Sequence, residues 1–404
     1  MRIAIVSDYF LDYVGGAQSS ILEQQASLEE AGHEVFLIST ARALKGNVRE
    51  VRGAGLQIKP AFTVPGVLLP VVAAKRRLID TLKDYFTEQH IDVVHLQTEF
   101  GLAHAATTAA HELGLPVVHT VHTLYWQSSG IFPTLAAPAM RALLQSITGV
   151  RLPDHRFTAR PSDNLLRNLT VAMAQRADVV ISPSAHQGAD LQTGGVTGPI
   201  DIVPNPIARS HRPAALVTAE QAADPRILWV ARCEPEKRPL VFAEAVIAAL
   251  ARTNNGFAVD LVGDGSELAQ VRALAEGHPQ LVVHGGLGHE RVLELMDASS
   301  LVALTSNGFD NQPMTIAESV SRYRGVLFCD AKLREGLGDS GYLTATPDVT
   351  ALTDAIVELV TEPERLVALS VGAQKDSREF AASTYVERVV AVYKRAAELR
   401  GAAA

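Results

Sequence analysis

Two acids eight positions apart are the strongest chemical signal in this sequence. Asp310 and Glu318 bracket the turn in Thr305-Ser306-Asn307-Gly308-Phe309-Asp310-Asn311-Gln312-Pro313-Met314-Thr315-Ile316-Ala317-Glu318-Ser319. The residues just before, Ser300-Leu301-Val302-Ala303-Leu304, are apolar enough for a buried strand. Pro313 is expected at the first position of a following helix, where its missing N–H costs nothing. A strand, a polar loop and a helix N-terminus in that order form an anion site. The first backbone N–H groups are unpaired there and the helix dipole is positive.

Two cations could serve the same anion. Arg232 and Lys237 fall just beyond the apolar strand 226–230. At a strand's carboxyl end, opposite the helix start near Pro313, they would clamp a diphosphate from two sides. The plain alternative is a solvated charged loop. In the first half, His122 follows the apolar run 116–120 and could bond a substrate hydroxyl, although a lone histidine is more often a satisfied polar group. His119 and His122 fall on opposite faces at a strand end, which argues against a metal pair. Gly15 and Gly16 offer either a flexible turn or a place where backbone amides approach a phosphate or sugar. No two aspartates stand two apart, so the chain has no D-x-D. Any diphosphate must then be met by Arg, Lys and helix-terminal amides rather than by an Asp-bound metal.

The elements that must position these groups alternate between strand and helix. Residues 1–8 read as a first strand, followed by a helix to Ala31 and a strand at 34–39. Then come a helix at 76–89, a strand at 92–96, a helix at 101–113 and strands at 116–120 and 177–184. A segment at 207–225 reads as a linker. The alternation restarts with strands at 226–230, 257–263, 281–284 and 300–304, and helices at 238–252, 266–276, 289–298 and from 314. Two such series predict an α/β chain with two Rossmann-like, doubly wound domains facing across a cleft. The expected domains are 1–208 and 225–383, with a helix at 384–404 crossing back onto the first. Its apolar face would comprise Tyr385, Val389, Val392, Tyr393 and Ala396. A nicotinamide enzyme needs a Gly-rich turn directly after a strand. Gly263-Asp264-Gly265 lacks the third glycine, and Gly15-Gly16 begins too far past the first strand.

Composition narrows the class. The chain has 404 residues, 47% hydrophobic and 20% charged, with two widely spaced cysteines, Cys233 and Cys329. This suits a globular cytoplasmic protein of two domains with free thiols. The N-terminus is too soon polar for a signal peptide. The net charge of −8 is uneven: residues 1–210 carry 17 basic and 18 acidic residues, or −1, leaving −7 for the rest. Nucleic acid is therefore disfavoured as a partner. Residues 45–77 nevertheless hold seven basic residues with one acid, and 141–176 six arginines with two acids. The apolar run 67–74 ends in Lys75, Arg76 and Arg77, which suggests peripheral attachment to an anionic membrane at its inner face. An ordinary core helix with solvated arginines is the alternative.

Seven short pieces in order carry a resemblance. They are Val14-Gly15-Gly16-Ala17, Asp92-Val93-Val94-His95-Leu96-Gln97-Thr98, His119-Thr120-Val121-His122-Thr123, Val203-Pro204-Asn205-Pro206, the segment Val230 to Lys237, Leu261-Val262-Gly263-Asp264-Gly265, and the Asp310 to Glu318 motif. Together they resemble the family-4 retaining glycosyltransferases of GT-B fold over nearly the whole chain. The family usually begins its acidic motif with Glu, where Asp310 stands here. The resemblance implies transfer of a hexose from a UDP- or GDP-sugar to a hydroxyl acceptor, such as a glycolipid, without a cofactor or metal. It implies Glu318 at the ribose and Asp310 at the hexose hydroxyls. The backbone of Asn311, Gln312, Met314 and Thr315 would meet sugar and phosphate, and Arg232 and Lys237 the departing diphosphate. Gly15 and Gly16 would approach the phosphates, His122 the transferred sugar, and the loop around Leu287 the base. A sugar-nucleotide-binding protein without catalysis, or an epimerase on the same scaffold, are the other functions such a chain could have.

Overall fold

A computed structural model describes residues 1–12, 15–42, 48–51, 55–64, 69–125, 132–207 and 213–403. The chain divides into two units, Met1–Ala208 with Ala382–Ala404, and Arg209–Ala381.

The first unit opens with β1 (Arg2–Phe10), α1 (Gly16–Glu30), β2 (Glu34–Thr40), β3 (Val48–Val51), β4 (Gly55–Ile58), β5 (Phe62–Val64) and β6 (Leu69–Val71). It continues through α2 (Arg76–Glu88), β7 (Val93–Leu96), α3 (Gly101–Leu113), β8 (Val117–Thr120), α4 (Phe132–Thr148) and α5 (Pro161–Ala174). It then runs through β9 (Val179–Ser182), α6 (Ala185–Thr193) and β10 (Ile200–Ile202). The sheet order is β10-β9-β8-β7-β1-β2-β4-β3, parallel except for the edge pair β3–β4. The order reverses between β1 and β7, whose buried positions are mostly apolar, with Ser7, Asp8 and His95 as the buried polar exceptions.

The second unit comprises α7 (Ala219–Ala223), β11 (Arg226–Val230), α8 (Pro239–Arg252), β12 (Ala258–Val262), α9 (Leu268–Ala275) and β13 (Leu281–Gly285). After these come α10 (His289–Ala298), β14 (Leu301–Leu304), α11 (Met314–Ser321), β15 (Gly325–Phe328), β16 (Gly341–Leu343), α12 (Val349–Thr361) and α13 (Pro363–Asp376). Its sheet is all parallel, ordered β13-β12-β11-β14-β15-β16, with the switch point between β11 and β14. Ligands in open α/β sheets bind beyond the strand ends at such a point.

The chain ends in α14 (Ala382–Ala403), within the first unit. Tyr385, Val389, Val392, Tyr393 and Ala396 are buried there with Ile3, Ile5, Ile21 and Val93. One face of the helix is apolar at the 3.6-residue period, and that face is the one covered.

Four expectations need correction. Residues 213–225 are not a free linker: Val217 and Ala222 are buried in the second unit's core. A capping box between Thr218 and Gln221 starts α7 there, a short signal hidden among Ala and charged residues. Pro313 is the N-cap of α11 rather than its first residue, because its ψ of 128° is extended. The run 67–74 is no helix in its described part, since β6 pairs antiparallel with β5; residues 67–68 lie outside the described residues. The gap left between the strands expected at 116–120 and 177–184 holds two helices, α4 and α5, the first with Pro138 inside it.

Candidate functional site

The second unit's site is assembled at its switch point. The loop after β11 forms a short 3₁₀ turn, Pro235–Lys237, and Arg238 then adopts a left-handed conformation at φ 57° before α8. Three contacts tie this loop and the end of β11 to the end of β14 and the start of α11. The Trp229 indole donates to Thr305 Oγ1 at 2.9 Å, and the Thr305 hydroxyl donates to the Lys237 carbonyl at 2.7 Å. The Thr315 hydroxyl donates to the Val230 carbonyl at 3.2 Å. A fourth contact holds the acidic loop itself: the Gly308 N–H donates to Asp330 Oδ2 at 2.6 Å, with Gly308 at φ 70°.

Lys237 and Asp310 are thereby brought together. The ammonium donates directly to Asp310 Oδ1, with side chains only 14% and 10% exposed. Lys237 Nζ also sits 5.5 Å from the centre of the Phe309 ring, close enough for a cation–π contact. The other carboxylate oxygen, Asp310 Oδ2, is buried and has no hydrogen-bond partner among the described residues. A buried acceptor left open costs free energy unless a ligand or water meets it.

Glu318 lies on α11, one turn past Met314 and Thr315, and accepts from His289 Nε2 at 3.0 Å. Asn311, Gln312, Met314 and Thr315 are half-buried around the same helix start. Arg232 differs from the expectation of a free cation. It is exposed and donates to Glu236 at 2.7 Å. The two expected phosphate cations are thus each paired with an acid, because each shares its loop or its neighbour with a carboxylate.

The loop carrying Arg232 depends on the two glycines of Gly263-Asp264-Gly265. At Gly263, φ is 152° and a Cβ would lie 1.8 Å from the Ala231 carbonyl oxygen. At Gly265, φ is 154° and a Cβ would lie 2.5 Å from the Cys233 carbonyl oxygen. The Cys233 N–H donates to the Asp264 carbonyl at 2.8 Å. These glycines allow two backbone segments to touch, a role distinct from dinucleotide binding. Leu287 is half-buried in the loop between β13 and α10, against Leu228, Val262 and Val292.

In the first unit, Gly15 caps α1 in extended conformation and Gly16 opens the helix. Among the described residues nothing lies within 4 Å of a Cβ placed on Gly16. The α1 N-terminus follows β1 at the first unit's own switch point. His119 is buried inside β8, whereas His122 is half-buried beyond the strand end. His122 Nε2 lies 2.6 Å from Gln97 Oε1. Burial pushes His122 down to about 4, so it is neutral at physiological pH.

Sequence reasoning missed His289, Asp330, Thr305 and Gln97. Gln97 stood inside a quoted motif, but only the fold reveals its contact with His122. His289 lies 29 positions from Glu318, and its spacing carries no signal.

Comparison with known proteins gives the context for this geometry. Residues 14–211 match the model of Glycosyltransferase Family 4, and residues 224–362 that of Glycosyl transferases group 1. An alpha-monoglucosyldiacylglycerol synthase of Streptococcus pneumoniae is 28% identical over 160 residues, 38% of this chain and 35% of that protein. The match therefore spans about a third of that relative's length. A D-inositol 3-phosphate glycosyltransferase of Catenulispora acidiphila is 23% identical over 94% of both chains. Among solved structures, Anabaena Alr3699/HepE in complex with UDP and glucose has a TM-score of 0.66 at 16% identity, covering 98% of this chain and 99% of that one. The chain belongs to the family-4 glycosyltransferases of GT-B fold.

Proposed function

We propose that the protein transfers a hexose from a UDP- or GDP-sugar to a hydroxyl acceptor with retention of anomeric configuration and without a metal. The observation that carries this reading is the Lys237–Asp310 pair, set at the sheet's switch point beside the start of α11 and leaving Asp310 Oδ2 open. A buried carboxylate oxygen with no partner is suited to accept from a hexose hydroxyl. Glu318, oriented by His289, is suited to accept from ribose hydroxyls. The α11 amides and the Lys237 ammonium would take the diphosphate charge as it leaves, with Arg232 swinging from Glu236 to join them. Catalysis would rest on positioning and on charge stabilisation of the leaving group, with attack from the face it departs. In the first unit the proposal assigns Gly15 and Gly16 to phosphate approach and His122 to a sugar hydroxyl. The relative solved with UDP and glucose supports a sugar nucleotide as donor.

For the acceptor, the reading is a lipid-linked hydroxyl at an anionic membrane surface. It is supported by α4, where Leu135, Met140 and Leu143 are exposed at 72%, 41% and 47%. Beside them a polar depression is lined by Arg141, Gln145, Arg151 and Asp154. Such a face can lie in the interface plane with its cations at the headgroups. The other basic stretch contributes less, because Arg76 is held by Asp80 and Glu112. Among the described residues no helix is long and apolar enough to cross a membrane. Flotation with phosphatidylglycerol vesicles tests this part: binding at low salt that weakens in Leu135→Ser/Leu143→Ser is expected, and no binding at low salt removes it. The transfer itself is tested by nucleoside diphosphate release in EDTA with a glycosylated product of the donor's anomeric form. An inverted product, or dependence on added divalent metal, contradicts the mechanism.

A further inference from the structure

A chain of buried polar side chains in the first unit ends on His122. Gln97 presents its amide oxygen to His122 Nε2 and donates from its nitrogen to Gln24 Oε1 at 2.9 Å. That same Gln24 oxygen receives the Tyr385 hydroxyl from α14 at 2.8 Å. The Gln24 nitrogen donates to Ser20 Oγ at 3.0 Å and to Asn205 Oδ1 at 3.3 Å, and the Ser20 hydroxyl donates to Asn205 Oδ1 at 2.6 Å. Ser20, Gln24, Gln97, Asn205 and Tyr385 are all 5% exposed or less.

In the structure Gln24 Oε1 faces the Tyr385 hydroxyl and the Gln97 amide nitrogen, both of which donate to it. With its nitrogen turned to Gln24 Oε1 and 3.3 Å from His95 Nε2, Gln97 has only its oxygen for His122. An imidazole nitrogen facing an amide oxygen must carry the proton. Burial keeps the ring neutral, and His95 and His119 interact with it electrostatically. His122 Nδ1 then holds a lone pair, and no partner for it exists among the described residues.

We infer that Gln97 is a positioning residue, held by Gln24 and Tyr385, that fixes His122 as the neutral Nε2–H tautomer so that Nδ1 accepts a hydroxyl of the transferred sugar. The sugar contact rests on the function proposed above; the tautomer does not. The inference gives α14 a role at the reacting end of the first unit. Through Tyr385, the C-terminal helix sets which nitrogen of His122 is basic.

The test is the histidine-ring ¹H–¹⁵N correlation spectrum of the ¹⁵N-histidine-labelled protein at pH 7, with His122 assigned by loss of its signals in His122→Gln. The expected pattern is a protonated Nε2 and a bare Nδ1. A protonated Nδ1 or an imidazolium overturns the inference outright, with no substrate needed. In Gln97→Leu, His122 is expected to populate both tautomers and kcat to fall about tenfold, the rate equivalent of one neutral hydrogen bond, with donor KM little changed. An unchanged tautomer with unchanged kcat overturns the positioning role. Should Gln97→Leu fail to fold, Tyr385→Phe takes its place with the same two readouts, a smaller shift being expected. The expected tautomer in a protein that turns over no sugar nucleotide would sink the proposed function and leave the positioning geometry standing.

Discussion

Lys237 and Asp310, 73 positions apart in the chain, bond one another directly across the switch point between β11 and β14. Each would be costly alone, since a largely buried charge without its partner pays for desolvation. Their coupling makes the sugar end and the phosphate end of the proposed donor site a single electrostatic unit.

This pairing predicts a pattern in mutant kinetics. Lys237→Ala and Arg232→Ala are each expected to lower kcat on the order of 10²-fold, as loss of a preorganised donor does. Asp310→Asn should lose a comparable amount, and the Lys237→Ala/Asp310→Asn double variant should lose less than the product of the two, because the sites are in contact. Steady-state rates for the four variants decide it. Strict multiplicativity would show that the pair does not act together.

Glu318 makes a separate prediction about binding. Glu318→Gln removes a charged acceptor, and the nucleoside diphosphate affinity should weaken about 10- to 100-fold. His289→Ala should weaken it less, because His289 is exposed and only orients the carboxylate. Isothermal titration with UDP and GDP measures both. Equal affinity for Glu318→Gln and the parent would move the ribose site elsewhere.

Two glycines separate folding from function. Gly263→Ala is expected to destabilise the second unit, with backbone strain of about 1–3 kcal/mol and a carbonyl clash besides. Gly16→Ala meets open space on a helix and should leave the melting temperature unchanged or raised. Its turnover should nonetheless fall, if the bare backbone is there for a phosphate. Calorimetry beside activity distinguishes the two; a Gly16→Ala enzyme of full rate contradicts the assignment.

The pH dependence of stability has a definite sign. Burial pushes His95, His104 and His119 down to about 3 and His122 to about 4, from an ordinary 6.5. Between those values the unfolded chain binds protons that the folded chain refuses, so stability is full above about pH 6.5 and is lost as pH falls. Burial raises Asp8 to about 6, which works the other way below that pH, as one group against four. The melting temperature should decline from pH 7 to pH 5. A flat or rising curve contradicts the buried neutral histidines.

Much of the scaffold was legible because parallel strands buried on both faces read as short apolar runs, as Leu301–Leu304 does. The acids flanking the α11 start were legible for the same reason, since a strand-to-helix junction marks its own loop. Partners across long separations were not. Nothing in the local sequence joins Lys237 to Asp310, Gln97 to His122 or His289 to Glu318. The small elements β3, β4 and α7 also escaped, because a few residues with one cap or one turn carry too little periodicity. Asp310 gained most from the fold: a departure from a family pattern became one half of a buried ion pair with an open oxygen.

The most direct measurement is thermal unfolding of the parent protein, Lys237→Ala and Glu318→Gln with a panel of UDP- and GDP-sugars, followed by nucleoside diphosphate release with the donor that binds. Binding to the native state alone raises the melting temperature by mass action. The account predicts that at least one sugar nucleotide stabilises the parent and is turned over, that Glu318→Gln loses the stabilisation, and that Lys237→Ala loses the turnover. A parent protein that no sugar nucleotide stabilises, or variants that bind and react as the parent does, would contradict it.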